Sequence, residues 1–210
     1  HKEDCLTTIV VGKGEHLIDD MIYVEITSAM DIVGDPKVTK EEIAVVGGIE
    51  FMKGIQGNCH LQHLTLRQAE EYGVSGESSF TMDDVLVEQC GFYGVIASGY
   101  GVVGRCANVE VRQCGLSGVT ASSGASITLI GAKTTVHHNC TNGDSDEYGL
   151  RVFGSPCSTI HLVSPLTKEH VSLDNGGGGN WGAVRGGADL NQIKTIAAVV
   201  ILANESTSNS

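Results

Sequence analysis

The chain has 210 residues, 28 of them glycine and 3 proline, with 41% hydrophobic residues, 5% aromatics and a mean hydropathy of +0.05. The glycines follow no G-X-Y period, which excludes collagen; the apolar content argues against disorder; and no apolar run approaches the roughly 18 residues of a membrane span. Lys and Arg number 13 against 25 Asp and Glu, a net charge of −12, which disfavours nucleic acid and anionic membrane surfaces and suits solubility, cations or a basic partner.

In chain order, the N-terminus lacks the basic-then-apolar pattern of a signal peptide, and a start at His1 reads as a processed or trimmed chain. Residues 1–57 form an irregular opening. It contains the apolar runs Thr8–His16 and Met30–Gly34, and an interruption at 35–47 that predicts a short helix. From residue 58 to 187 a repeat is visible. One column is Tyr72-Gly73-Val74, Tyr93-Gly94-Val95, Ser117-Gly118-Val119, Tyr148-Gly149-Leu150 and Trp181-Gly182-Ala183, with spacings of 21, 24, 31 and 33 from glycine to glycine. A second column precedes it: Leu64–Leu66, Val85–Val87, Val109–Val111, Thr134–Val136 and Val171–Leu173. Between them stand Ala69, Cys90, Cys114 and Cys140. A third apolar column runs through Phe80, Val103, Ile127, Leu129, Ile160 and Leu162, and a polar turn column through His63, Asp84, Asn108, Lys133 and His170. Further insertions fall at 141–147, 164–170 and 175–180. Residues 188–203 read as a closing strand or cap and 204–210 as a polar tail.

Short alternating runs broken by glycine or polar residues are strands, not helices. A unit of about 22 residues cannot bury its own apolar face, so the units must stack. The fold class expected is therefore all-β: a single domain (1–203) that is a parallel solenoid of about six to seven coils. Alternation points Leu64, Leu66, Val85, Val87, Val109, Val111 and Val136 inward, with Val74, Val95, Val119 and Leu150. The cysteines then line a tight interior corner. The count of seven cysteines argues against a disulfide framework and leans towards an intracellular location, with secretion the alternative. No C-x2-C pair supports structural zinc.

This pattern resembles the right-handed parallel β-helix of the pectate-lyase-like superfamily over about residues 48–187, and the opening runs are similar to the first coils of such proteins. The repeat is also similar to β-helix segments of copper-periplasmic and F-box proteins. The resemblance implies a fold and not one function, because lyases, hydrolases, epimerases, phage fibres and non-catalytic modules share it. It implies that catalysis, if present, uses the outward strand face. The family's motifs are incomplete here. Asp83-Asp84 has no second acid pair in register and no Gly-His or Arg-x-Lys after it, and the only Asp-Pro is Asp35-Pro36-Lys37 instead of Asp-Pro-His.

On the outward face the row Arg67, Glu88, Arg112, His137 and Asp174 holds the catalytic candidates Arg67, Glu88, Arg112 and His137. Its alternating charges equally read as a cross-strand salt-bridge ladder. Asp144, Asp146 and Glu147 are the metal candidates, with oxygen donors of the kind calcium takes, though they lack the EF-hand continuation. No other cofactor is expected. His137 and His138, adjacent on a strand, are expected to face opposite sides. His60 and His63 flank a turn. Gly176–Gly179 lacks the Gly-Lys-Ser/Thr of a P-loop. Asn139–Thr141 and Asn204–Ser206 match glycosylation sequons. The function expected is a non-catalytic binding or scaffold domain for a protein or polysaccharide partner. The alternatives are a uronate lyase or epimerase and a structural subunit of a larger assembly. No nucleic-acid partner and no membrane span are expected, and the oligomer is left open.

Overall fold

A computed structural model describes residues 7–18 and 23–198 of the chain. Cys5, the tail 204–210, its sequon and the last residues of the expected cap lie outside them. The first round of chain comprises β1 (Thr8–Val11), β2 (Gly14–Leu17) and β3 (Tyr23–Ile26), and the second β4 (Met30–Gly34), β5 (Ile43–Val46) and β6 (Gly48–Phe51). Five regular coils follow. They are β7 (Cys59–Gln62), β8 (Thr65–Arg67), β9 (Val74–Gly76); β10 (Phe80–Asp83), β11 (Leu86–Glu88), β12 (Val95–Ser98); β13 (Val103–Ala107), β14 (Glu110–Arg112), β15 (Val119–Ser122); β16 (Ser126–Ile130), β17 (Thr135–His137), β18 (Leu150–Phe153); and β19 (Thr159–Val163), β20 (Ser172–Leu173), β21 (Trp181–Val184). Strand β22 (Ile193–Ile196) closes the stack where a closing strand was expected.

Every third strand pairs in parallel. Sheet A runs β1 to β22 with eight strands, and sheets B (β2 to β20) and C (β3 to β21) have seven each. The chain is thus an all-β parallel solenoid. Its five regular coils are fewer than the six to seven expected, and two less regular opening rounds precede them. Helix is minor: α1 (Lys168–Val171) lies in the 164–170 insertion, and a 3₁₀ turn at Lys40–Glu42 meets the helix expected within 35–47. No helix of the described residues is long and apolar enough to cross a membrane.

The interior is one continuous apolar column, and the inward set expected from alternation is buried there without exception. Phe51 and Phe80 stack at 5.7 Å between centroids. The Phe80 ring also fills the space above Gly104, 2.9 Å from where a Cβ would stand. That ring explains one correction. Gly104, not Val103, faces Phe80 in register, and Val103 points outward with 46% exposure.

The corners follow the same logic. After the sheet B strand of each regular coil one residue takes the left-handed conformation: Gln68, Gln89, Gln113, His138 and Asp174, with φ between 52° and 58°. Before the sheet B strand of the first four regular coils another does so: His63, Asp84 and Asn108 at 51–54°, then Gly131 at 86°. Gly131 therefore replaces Lys133 in the expected turn column, and His170 belongs to α1 instead.

The residue after the first of these corners faces inward. Because Arg112 pairs with His137, the column reads Ala69, Cys90, Cys114, Asn139, Asn175, and Cys140 stands one residue out of line. The insertion that follows masked this slip. Asn139 Nδ2 donates to Val111 O and Asn175 Oδ1, both at 3.0 Å, and its Oδ1 accepts from Cys114 N at 3.1 Å. Asn175 repeats the pattern to Val136 O at 3.1 Å. The Asn139 sequon is therefore occupied by a buried, fully bonded amide. Asn139→Ala is expected to cost about 2–3 kcal/mol, because the Cys114 N–H and Val111 C=O lose their partners in the interior; urea denaturation measures it.

The glycine column sits against this corner. A Cβ on Gly94 would stand 2.7 Å from Gly118 O and 3.2 Å from Cys114 Sγ. Gly73, Gly94, Gly118 and Gly149 are thus required by the closeness of the next coil, and none has a positive φ. Asn180, not Gly182, follows them, since Leu150 pairs with Trp181.

Candidate functional site

The four outward candidates of sheet B do line up: Arg67 beside Glu88, Glu88 beside Arg112, Arg112 beside His137. Leu173 comes next. Asp174 falls in the left-handed corner and leaves the row. Glu88 Oε2 accepts from Arg112 Nε at 3.0 Å and Nη2 at 2.7 Å. Arg112 Nη1 donates to Glu110 Oε1 at 2.7 Å, and His137 Nε2 lies 3.2 Å from the same oxygen. Arg67 bonds Glu15, two rounds earlier in the stack. The expected ladder thus forms between Glu88 and Arg112, while Arg67 closes a different pair.

The structure adds Glu110 to this face and sets His138 at its edge. Glu110 stands outward between inward Val109 and Val111, so alternation alone could have placed it. His138 was expected to face away from His137, but its φ of 56° turns it back. The two Nδ1 atoms lie 2.7 Å apart, with the rings edge-on at 5.0 Å. Such a contact needs one N–H and one lone pair. Beside the row runs an amide ladder: Gln68 Nε2 donates to Gln89 Oε1 at 3.5 Å, and Gln89 Nε2 to Gln113 Oε1 at 3.3 Å. The result is a polar, strand-held surface whose charges are largely satisfied by one another.

The acidic loop is built differently. Asp144 and Asp146 are exposed, but Glu147 turns inward and is 7% exposed. Its Oε1 lies 3.2 Å from Arg151 Nη2, and its Oε2 accepts from Ser117 Oγ at 2.6 Å. Arg151 Nη1 donates to Tyr93 Oη at 3.0 Å, and its guanidinium lies 4.4 Å from the Phe153 ring centroid. Burial raises the Tyr93 phenol above its ordinary value although Arg151 opposes it. The structure therefore does not gather Asp144, Asp146 and Glu147. Among the described residues no group of three or more His, Cys, Asp or Glu is placed to hold a metal ion. The Glu147–Arg151 pair instead fastens the loop to sheet C.

Cys157 is free and exposed, whereas the other thiols of the described residues are not placed as nucleophiles. Cys59, Cys90, Cys106, Cys114 and Cys140 are free and buried. Hydrogen bonding to Cys114, with burial, pushes Cys90 well up. Burial pushes Cys106 and Cys140 up to about 12. A thiolate is therefore suppressed at Cys90, Cys106 and Cys140, and the five buried cysteines pack as small hydrophobes. A cavity of about 300 Å³ lined by Leu162, Ile193, Thr195, Lys168 and Lys194 lies at the far end of the stack and includes none of the row's residues.

Fold and site together define a class, an acidic parallel β-solenoid with a paired-charge row on one outer sheet. No family model matches the sequence, and no match is found among the curated proteins or the solved structures compared with it.

Proposed function

We propose that the domain is a non-catalytic binding or scaffold module that offers the outer face of sheet B to a protein or polysaccharide partner. The observation that supports this reading is the mutual satisfaction of Glu88, Arg112, Glu110 and His137 on in-register strands. Groups already held in place lose little freedom on binding, which favours recognition. A general acid or base needs a free lone pair or proton aimed at substrate. One observation favours a second reading, an enzyme of the uronate lyase or epimerase type: the chain Glu110–His137–His138 is hydrogen-bonded end to end and able to pass a proton.

Retention of the intact domain on an immobilised panel of neutral polysaccharides, acidic polysaccharides and basic proteins tests the proposal. Arg112→Ala is expected to abolish retention and to lower stability only by on the order of 1 kcal/mol, since solvent screens a side chain that is 35% exposed. Retention unchanged by Arg112→Ala would contradict the assignment of this face.

A further inference from the structure

Residues 35–42 leave sheet A after β4 and cross the outer side of sheet B before β5. Ala44 and Thr65 lie beneath them: outward-facing by register with Leu86 and Glu110, outside the interior column, yet only 2% and 1% exposed. Thr65 Oγ1 donates to Lys40 O at 2.9 Å. Two further ties come from the left-handed corner residues of successive coils. His63 places Nε2 2.7 Å from Val38 O and Nδ1 2.7 Å from Asp84 Oδ2. Lys40 Nζ donates to the other Asp84 oxygen at 2.8 Å.

Both ring nitrogens of His63 therefore face acceptor oxygens. A neutral imidazole has one N–H and serves only one of them; the imidazolium serves both. We propose that residues 35–42 are a pH-released strap, clamped to sheet B while His63 carries both protons and loosened as the ring loses one. The consequence rests on the reading of sheet B as the binding face: release uncovers Ala44 and Thr65 beside Arg67 and widens that face. The charged groups facing His63 agree. Asp84 favours the imidazolium, and the opposing Lys40 is itself held by Asp84. On the flanks, Glu42 pairs with Lys13, and Asp83 accepts from Asn108 Nδ2 at 3.4 Å. The bond to Val38 O, then that to Asp84, holds the His63 ring above the ordinary histidine value. Bonds from Lys40 and His63 outweigh burial and hold Asp84 below the usual carboxylate range. A histidine raised on folding stabilises fully below its unfolded value, and that contribution is lost as pH rises through the folded value. The strap is therefore tight in mild acid and loosens towards alkaline pH.

Amide hydrogen exchange of the protein alone, from pH 5 to 8.5 and corrected for intrinsic rates, tests this without any partner, so its outcome is separate from that of the retention experiment. Protection of the Val38 and Glu42 amides is expected to fall by about tenfold for each pH unit by which the ring is held above its unfolded value, while β11 stays unchanged. His63→Gln is expected to flatten the profile. Flat protection in the parent protein, or a step that survives in His63→Gln, overturns the proposal. If His63→Gln does not fold, NMR titration of the parent's His63 decides: a ring titrating above the ordinary value supports the strap, and one at or below it refutes it.

Discussion

Gly94→Ala is expected to destabilise the protein by about 3 kcal/mol or more, the upper end of what overpacking costs. The added methyl would overlap the Val111 side chain and stand 2.7 Å from Gly118 O. The carbonyl belongs to the next coil and cannot rotate aside, because Val95 N is bonded to it at 2.8 Å. Coils spaced about 4.8 Å apart can yield only by breaking that ladder. Gly12→Ala is the control: nothing lies within 4 Å of a Cβ there, so its urea midpoint should match the parent's. Equal midpoints for Gly94→Ala and the parent would mean that the coils are not packed as closely as described.

The second large effect is expected at Arg151. Removing one member of a buried ion pair typically costs about 3–5 kcal/mol, because the other charge stays behind without its partner. Arg151 is 5% exposed, and its loss would leave Glu147 with Ser117 and Tyr93 alone while also emptying the space over Phe153. Arg151→Ala is therefore expected to lower the denaturation midpoint sharply. The double variant Arg151→Ala/Glu147→Ala is expected to recover part of that loss, since no carboxylate then remains buried. A double variant as unstable as the sum of the singles would show that the two side chains do not act as a pair.

These effects explain which parts of the molecule could be read from residues alone. Leu66, Val87 and Val111 recur at one inward position, so the solenoid and its interior follow from alternation and stacking. The glycine column was equally visible, although its cause is the approach of the next coil and not the freedom of its backbone. Positions beyond an insertion were harder. The seven residues after Cys140 hid a slip of one, so that Asn139 took the place expected for a cysteine. Val103 went astray because one ring, Phe80, occupies the space above Gly104.

Contacts of the site depended on what alternation does not encode. His138 joins His137 only because a left-handed corner reverses its direction. Arg67 meets Glu15 across 52 residues of chain. Glu147 belongs to Arg151 instead of its acidic neighbours because Ser117 and Tyr93 face it from other coils. Register makes these contacts, and register emerges only once the insertions are placed.

The most direct test of the central claim, that sheet B binds without transforming its partner, is the chemical state of a retained ligand. A polysaccharide retained by the domain and dependent on Arg112 should be recovered with unchanged chain length, no unsaturated ends and unaltered sugar configuration. New unsaturated ends or epimerised residues that disappear in His137→Ala would contradict the claim and identify the Glu110–His137–His138 chain as a catalytic centre.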